Sequence, residues 1–384
     1  MDFSKHNDEV KAVWTAYRAG NPIRVPMTFG INPRFMLLDP ALNPAGVTFR
    51  QYSDDPEAML DIQLKFQEWV RSNILQDAPM GPPDAWDLRV DFQNYYEAGF
   101  LGADIYFPDD NVPVARPFPG DSNKRLLLDR GPIDLDASPL WRKNIEFYEY
   151  FLARRKEGFT YKGRPIGGVV PKGLGTDGPL TLFMSLRGDG GLLDMYLDPG
   201  YFHQMMSYFT EFAVNMVRKA RRIVGQPERQ DAFEFADDSI ELISAGDYES
   251  FVLPYHRKLK EELGGAGPHS IHICGDVQRH FPAIIRELGI SSIDTGFPIN
   301  WSTLRDEVGP GVEIAGGPHV EILRRGTSDE VRTETQRILQ SGIMRGGRFI
   351  MREANNLAPL TPLGNLRAMY ETVRRFGNHD VRMR

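Results

Sequence analysis

The sequence predicts an α/β fold, a single (β/α)8 TIM barrel. Three observations lead there. Short runs rich in β-branched and aromatic residues recur eight times, runs with apolar residues at helical spacing alternate with them, and no shift in composition or internal repeat divides the 384 residues. An open doubly wound sheet satisfies the same alternation and is the competing architecture. The domain is expected to span residues 1–384, with a helical extension at 1–22 and a long loop insertion at 109–139.

In chain order, a polar amphipathic helix at Asp8–Ala19 precedes a first strand, Arg24–Gly30. Asp55 and Pro56 form an N-cap and first-turn pair for a helix reaching Ile74, whose Met59, Ile62, Phe66 and Trp69 recur at helical spacing. Gly81–Asp87, with two prolines, reads as a loop. A helix at Phe92–Leu101 ends at Gly102, and Ala103–Pro108 follows as the second strand. After the insertion come a helix at Leu140–Lys156, a third strand at Gly167–Pro171, a glycine-rich loop at 173–179 and a long helix at Pro199–Val224. The loop lacks the Lys-Ser/Thr ending of a phosphate cradle. Strands four to eight are expected at Asp231–Asp238, His269–Cys274, Ser291–Asp294, Val312–Ala315 and Arg348–Glu353. Helices separate most of them, and the last helix covers Pro362–Phe376.

Composition narrows the function. Apolar residues at 41% and charged residues at 25% fit a soluble globular protein, and a net charge of −7 offers no basic stripe for nucleic acid. One cysteine cannot form an internal disulfide, which fits a reducing compartment and frees Cys274 for metal binding or reactivity. The charged start and the absence of any long apolar run argue against a secretory signal or membrane span, so the protein reads as cytoplasmic.

Chemistry gathers at His272-Ile-Cys274. Residues two apart on a strand share a face, so an imidazole and a thiolate could hold one ion, and that donor pair suits Zn²⁺. A buried structural cysteine is the competing reading. In a barrel, catalytic groups sit at the carboxyl ends of strands. There the sequence places Asp237-Asp238, His319, Glu353 and Asn355. Asp237 and Asp238 are neighbours, so at most one faces the barrel mouth while the other caps or orients. Glu353 and Asn355 share a face, and either could join His272 and Cys274. His319 after Gly-Gly-Pro also fits a turn or N-cap.

Together, Phe235-Ala-Asp-Asp-Ser, Ile271-His-Ile-Cys-Gly-Asp276, Glu313-Ile-Ala-Gly-Gly317 and Leu357-Ala-Pro-Leu-Thr-Pro362 resemble the uroporphyrinogen decarboxylase superfamily. The resemblance extends more weakly through Tyr96–Gly102 and Gly178-Pro-Leu-Thr181. The decarboxylases' arginine motif after the first strand is missing from Val25-Pro-Met-Thr-Phe-Gly-Ile-Asn32, whereas His272 and Cys274 match the zinc ligands of the corrinoid-linked methyltransferase branch. That branch usually adds a second cysteine where this chain reads Asn355-Asn-Leu-Ala-Pro359.

The resemblance implies a zinc-dependent methyltransferase that moves a methyl group between a small methylated substrate and a corrinoid (cobalamin) carried by a partner protein, with homodimerisation implied as well. His272 and Cys274 would hold zinc with Glu353 or Asn355 as third ligand. Asp237 or Asp238, and less directly His319, would donate a proton or orient the substrate. Phe29, Trp86 and Tyr106 are candidates for the apolar wall. The alternatives are a decarboxylase or other lyase, with Arg24, Arg187 and Arg352 binding substrate carboxylates, or a non-catalytic ligand-binding barrel that has lost its metal, which the change to Asn355 favours.

Overall fold

The structure, a computed structural model, describes residues 2–118, 120 and 123–379. Among the described residues there are ten strands: β1 Trp86–Arg89, β2 Ile105–Tyr106, β3 Val114–Ala115, β4 Thr160–Tyr161, β5 Arg164–Val170, β6 Phe233–Ala236, β7 His269–Ile273, β8 Ile290–Thr295, β9 Glu313–Gly316 and β10 Phe349–Met351. β6 to β10 form one continuous parallel sheet in chain order. β10 then meets the first-strand segment through a parallel bridge from Met351 to Met27, with Thr28 N donating to Met351 O at 3.0 Å and Met351 N to Pro26 O at 2.9 Å.

The other wall is less regular. β1 and β5 pair in parallel, and β4 adds an antiparallel edge. Two openings in the ladder are bridged by loops: Asp77 N donates to Met27 O at 2.7 Å, and Ala236 N to Thr176 O at 3.1 Å. The eight strand positions of a (β/α)8 barrel are therefore Arg24–Phe29, β1, β5 and β6 to β10.

One of them differs from the expectation. The second barrel strand is β1, which starts at the end of the expected Gly81–Asp87 loop and runs past it, while Ile105–Tyr106 forms an antiparallel hairpin with Val114–Ala115. Alternation explains both. Trp86 and Leu88 are buried and Asp87 and Arg89 exposed, the period of a one-sided strand, but four residues after Pro82-Pro83 carry little sequence signal. The hairpin begins the 109–139 excursion, whose Pro119, Asp121 and Ser122 lie outside the described residues, as do Met1 and residues 380–384.

Helices clothe the ring. The longest, Pro199–Ile223, buries Phe202, Met206, Phe209, Met216 and Val217, each worth about 1.5–3 kcal/mol of burial. The first helix, Ser4–Arg18, lies at the amino-terminal end of the strands. There Tyr17 OH donates to Glu313 at 2.9 Å and Arg24 pairs with Asp77 at 2.6 Å. Among the described residues no helix is long and apolar enough to cross a membrane.

Candidate active site

Strand parity decides what enters the barrel. Along β6 and β7, Phe233, Phe235, Ile271 and Ile273 are buried toward the helices, so Ala236, Asp238, Ser270 and His272 face inward. Cys274 continues the inner row just past β7. His272 Nε2 lies 3.1 Å from Cys274 Sγ, and Asp238 Oδ1 accepts from Cys274 N at 2.7 Å. One donor atom from each of Asp238, His272 and Cys274 falls within 4.8 Å of the others. Gly275 makes the turn that follows, at φ 81°, where a Cβ would strike the Glu241 carboxylate.

The far ring nitrogen of His272 is held as a metal-ligand histidine requires. Nδ1 sits 2.7 Å from Asp294 Oδ2 on β8, and Arg352 donates to that same oxygen at 2.7 Å. Burial disfavours the imidazolium, but the bonds to Asp294 and Cys274 outweigh it and raise His272 to about 11. Burial pushes the Cys274 thiol up. The donor set fits a zinc ion. Tetrahedral Zn–N and Zn–S bonds of about 2.0 and 2.3 Å separate N and S by about 3.5 Å, so the two side chains need part by only a few tenths of an ångström. Binding would release their protons.

These groups line a cavity of about 320 Å³ that Arg34, Asn94, Glu97, Asp177, Asn355 and Asn356 also border. Arg34 follows the first strand; Asn32 Oδ1 accepts from its Nε at 2.9 Å, and burial lowers its pKa. Glu97 and Asp177 are both raised above the ordinary carboxyl range, chiefly by burial.

Several expected site residues lie elsewhere. Asp237, on the outward face of β6, is fully buried; it accepts from Leu180 N, Thr181 N and Thr181 Oγ1 at 2.7–3.0 Å and lies 2.9 Å from His256 Nε2. It anchors the helix Pro179–Arg187 and leaves Asp238 alone in the mouth. His319 caps the helix Val320–Arg325, its Nδ1 accepting from Glu321 N at 2.9 Å. Glu353 shares the outward parity of Met351. It is fully buried, accepts from Gly30 N at 2.8 Å and Arg352 at 3.2 Å through Oε1, and stands outside the Asp238–His272–Cys274 cluster. Burial raises it to about 8. Asn355 reaches the cavity, at φ 91°, but its Oδ1 already accepts from Asn356 N at 2.7 Å.

The apolar wall expected from Phe29, Trp86 and Tyr106 is not there. Phe29 and Trp86 are core residues, with Trp86 Nε1 donating to Tyr161 O, and Tyr106 is 47% exposed on the outer hairpin. Each arginine nominated for carboxylates is engaged within the chain: Arg24 by Asp77, Arg187 by Asp194, Arg352 by Asp294 and Glu353. Sequence reasoning missed Asp294, Arg34, Glu97 and Asp177. For Asp294, strand parity was the available signal.

A (β/α)8 barrel with carboxylate, imidazole and thiol converging at the carboxyl ends of its strands has the layout of a barrel enzyme. The family described as uroporphyrinogen decarboxylase (URO-D) matches residues 162–376, more than half of the chain, and the chain belongs to it. It is 38% identical over 133 residues to a methylated-thiol–coenzyme M methyltransferase of Methanosarcina mazei, covering 34% of this chain and 33% of that protein. It is 22% identical over 200 residues to the methylcobamide:CoM methyltransferase MtbA of Methanosarcina acetivorans, covering 52% and 56%. The matches thus span at most about half the length of these curated relatives. A solved methyltransferase structure from Methanosarcina mazei superposes with a TM-score of 0.63 at 18% identity, covering 96% of this chain and 98% of that one, a likeness of fold.

Proposed function

We propose that this chain is a zinc-dependent methyltransferase acting between a small methylated substrate and a corrinoid carried by a partner protein. One observation carries the reading: the Asp238, His272 and Cys274 donors, from two adjacent strands, lie within 4.8 Å of one another at the barrel mouth, with Asp294 fixing the far side of the imidazole. The names of the relatives point the same way. The third donor in this reading is Asp238, in place of Glu353 or Asn355.

When bound, zinc would supply a Lewis acid that lowers the energy of negative charge on the heteroatom parting from its methyl group. With one thiolate ligand it remains a stronger Lewis acid than in a site with two. Asp294 holds the imidazole so that Nε2 points into the cavity. Arg352, bonded to Asp294, holds that carboxylate in place. Arg34, Asn94 and Asn356 line the cavity as hydrogen-bond donors for the rest of the substrate.

Of the cationic groups the decarboxylase alternative needs, the nominated Arg24, Arg187 and Arg352 are paired within the chain, and Arg34 is the arginine that lines the cavity. Metal analysis tests the leading reading. Zinc-supplemented protein is expected to bind about one zinc per chain, and His272→Ala and Cys274→Ala to fall below about 0.1, because a mixed site of this kind binds with several kcal/mol. Equal metal in all three proteins would end it.

A further inference from the structure

Two carboxylates that the proposed metal site leaves unused stand in the same cavity. Glu97, on the helix Tyr96–Phe100 after β1, is buried, and its two oxygens accept from Thr176 Oγ1 at 2.7 Å and Asp177 N at 2.9 Å. Those bonds fix the turn after β5. Gly178 follows at φ 90°, where a Cβ would strike Ala236 O and Asp237, so the backbone at this point has no room to swing back.

Asp177 therefore lines the cavity that holds His272, Cys274 and Asp238. Its backbone N–H is committed to Glu97, and among the described residues nothing hydrogen-bonds to its carboxylate. Of the charged groups around it outside the proposed ligand set, Lys172 favours the anion and Asp237 opposes it; buried Glu97 lies directly behind. Burial raises the Asp177 carboxyl above the usual aspartate range. An unpartnered carboxyl facing a reaction cavity is equipped for proton transfer.

We infer that Asp177 is the catalytic acid that protonates the departing heteroatom of the substrate, with Glu97 as its positioning residue. The inference rests on the methyltransferase reading. In the step, the bond between methyl carbon and heteroatom breaks and its electron pair goes to the heteroatom. The methyl carbon bonds to the electron pair of the acceptor, a low-valent corrinoid cobalt. The Asp177 proton moves to the heteroatom, leaving a carboxylate. In reverse, that carboxylate takes the proton of the incoming thiol or alcohol.

A substrate class follows. An acid at this atom helps when the leaving group departs as an anion, and does nothing for a quaternary ammonium or sulfonium, which departs neutral. The substrate is a methyl thioether or methyl ether.

The test uses zinc-loaded protein, free cob(I)alamin as acceptor, and two probes, methyl 4-nitrophenyl sulfide and an alkyl methyl sulfide, whose thiols are acidic and basic. Asp177→Asn should slow the alkyl probe about 100-fold and the nitrophenyl probe less than about 3-fold, the range expected of general acid catalysis. Asp177→Glu should restore part of the loss. Independently of any variant, the wild-type rate should slow in D2O for the alkyl probe only. A uniform loss on both probes, equal deuterium sensitivity, or demethylation of glycine betaine as fast as of the sulfides overturns the inference and leaves the methyltransferase standing. Zinc-loaded wild type that demethylates neither sulfide overturns both.

Discussion

The two walls of the barrel are built on different principles. From β6 to β10 one uninterrupted parallel ladder sets side chains by parity; the candidate metal donors sit on it or just past its strand ends, and Asp294 supports His272 from β8. Across the barrel, from the first strand to β5, the ladder is broken twice. Arg34, Asn94, Glu97 and Asp177 there come from turns and a short helix held by individual hydrogen bonds. A ladder holds ligands rigidly to within the tolerance of an ion, while loops carry the groups that must meet a substrate. The family match over residues 162–376 falls mainly on the regular side.

The joint between the walls is the most sensitive place. Asp237 ties β6 to the helix Pro179–Arg187, so Asp237→Ala leaves two backbone donors, the Thr181 hydroxyl and His256 without their partner in a dry interior. A loss of about 3 kcal/mol or more in urea unfolding is expected; a loss under about 1 kcal/mol would show that the walls are not coupled there.

Within the regular wall, Asp294→Asn should leave the fold intact and weaken zinc binding about 10–100-fold, the usual cost of losing a ligand's supporting carboxylate. A competition titration with a zinc chelator measures it. An unchanged affinity would mean that parity alone orients His272.

The loop wall should reveal itself in pH dependence. Burial raises Glu97 above an unfolded glutamate, so the folded state holds a proton that the unfolded state has released. That contribution to stability is complete below the unfolded pKa and is lost as pH rises through the folded one. Glu353 adds a like term that fades as pH approaches about 8. Stability should therefore fall between about pH 5 and 8, and Glu97→Gln should flatten the fall. A wild-type curve that rises over this window contradicts the burial assigned to both groups. The smallest effect belongs to the hairpin outside the ring: Tyr106→Ala should change stability by less than about 0.5 kcal/mol in the same unfolding assay.

Much of the regular wall was legible in the sequence because strand periodicity is local. The His272-x-Cys274 spacing implies one face, and the Asp237-Asp238 pair implies that only one enters the mouth. The same rule, applied from the strand preceding Glu353, would have turned that residue outward, since Met351 is a core position. The second barrel strand was misplaced because four residues after two prolines carry a weaker pattern than Ala103–Pro108, and only pairing with β5 distinguishes them. Glu97 and Asp177 gave no signal at all, being a helix residue and a loop residue 80 positions apart.

By itself the sequence determined the barrel, the inward row that carries His272 and Cys274, and the family to which they belong, since period and motif are properties of neighbouring residues. Tertiary structure alone decided that Asp238 stands beside His272 and Cys274, that the nominated arginines pair with internal carboxylates, and that Glu97 and Asp177 stand in the same cavity. Those outcomes depend on distances between segments far apart in the chain, and burial and charge act through such distances.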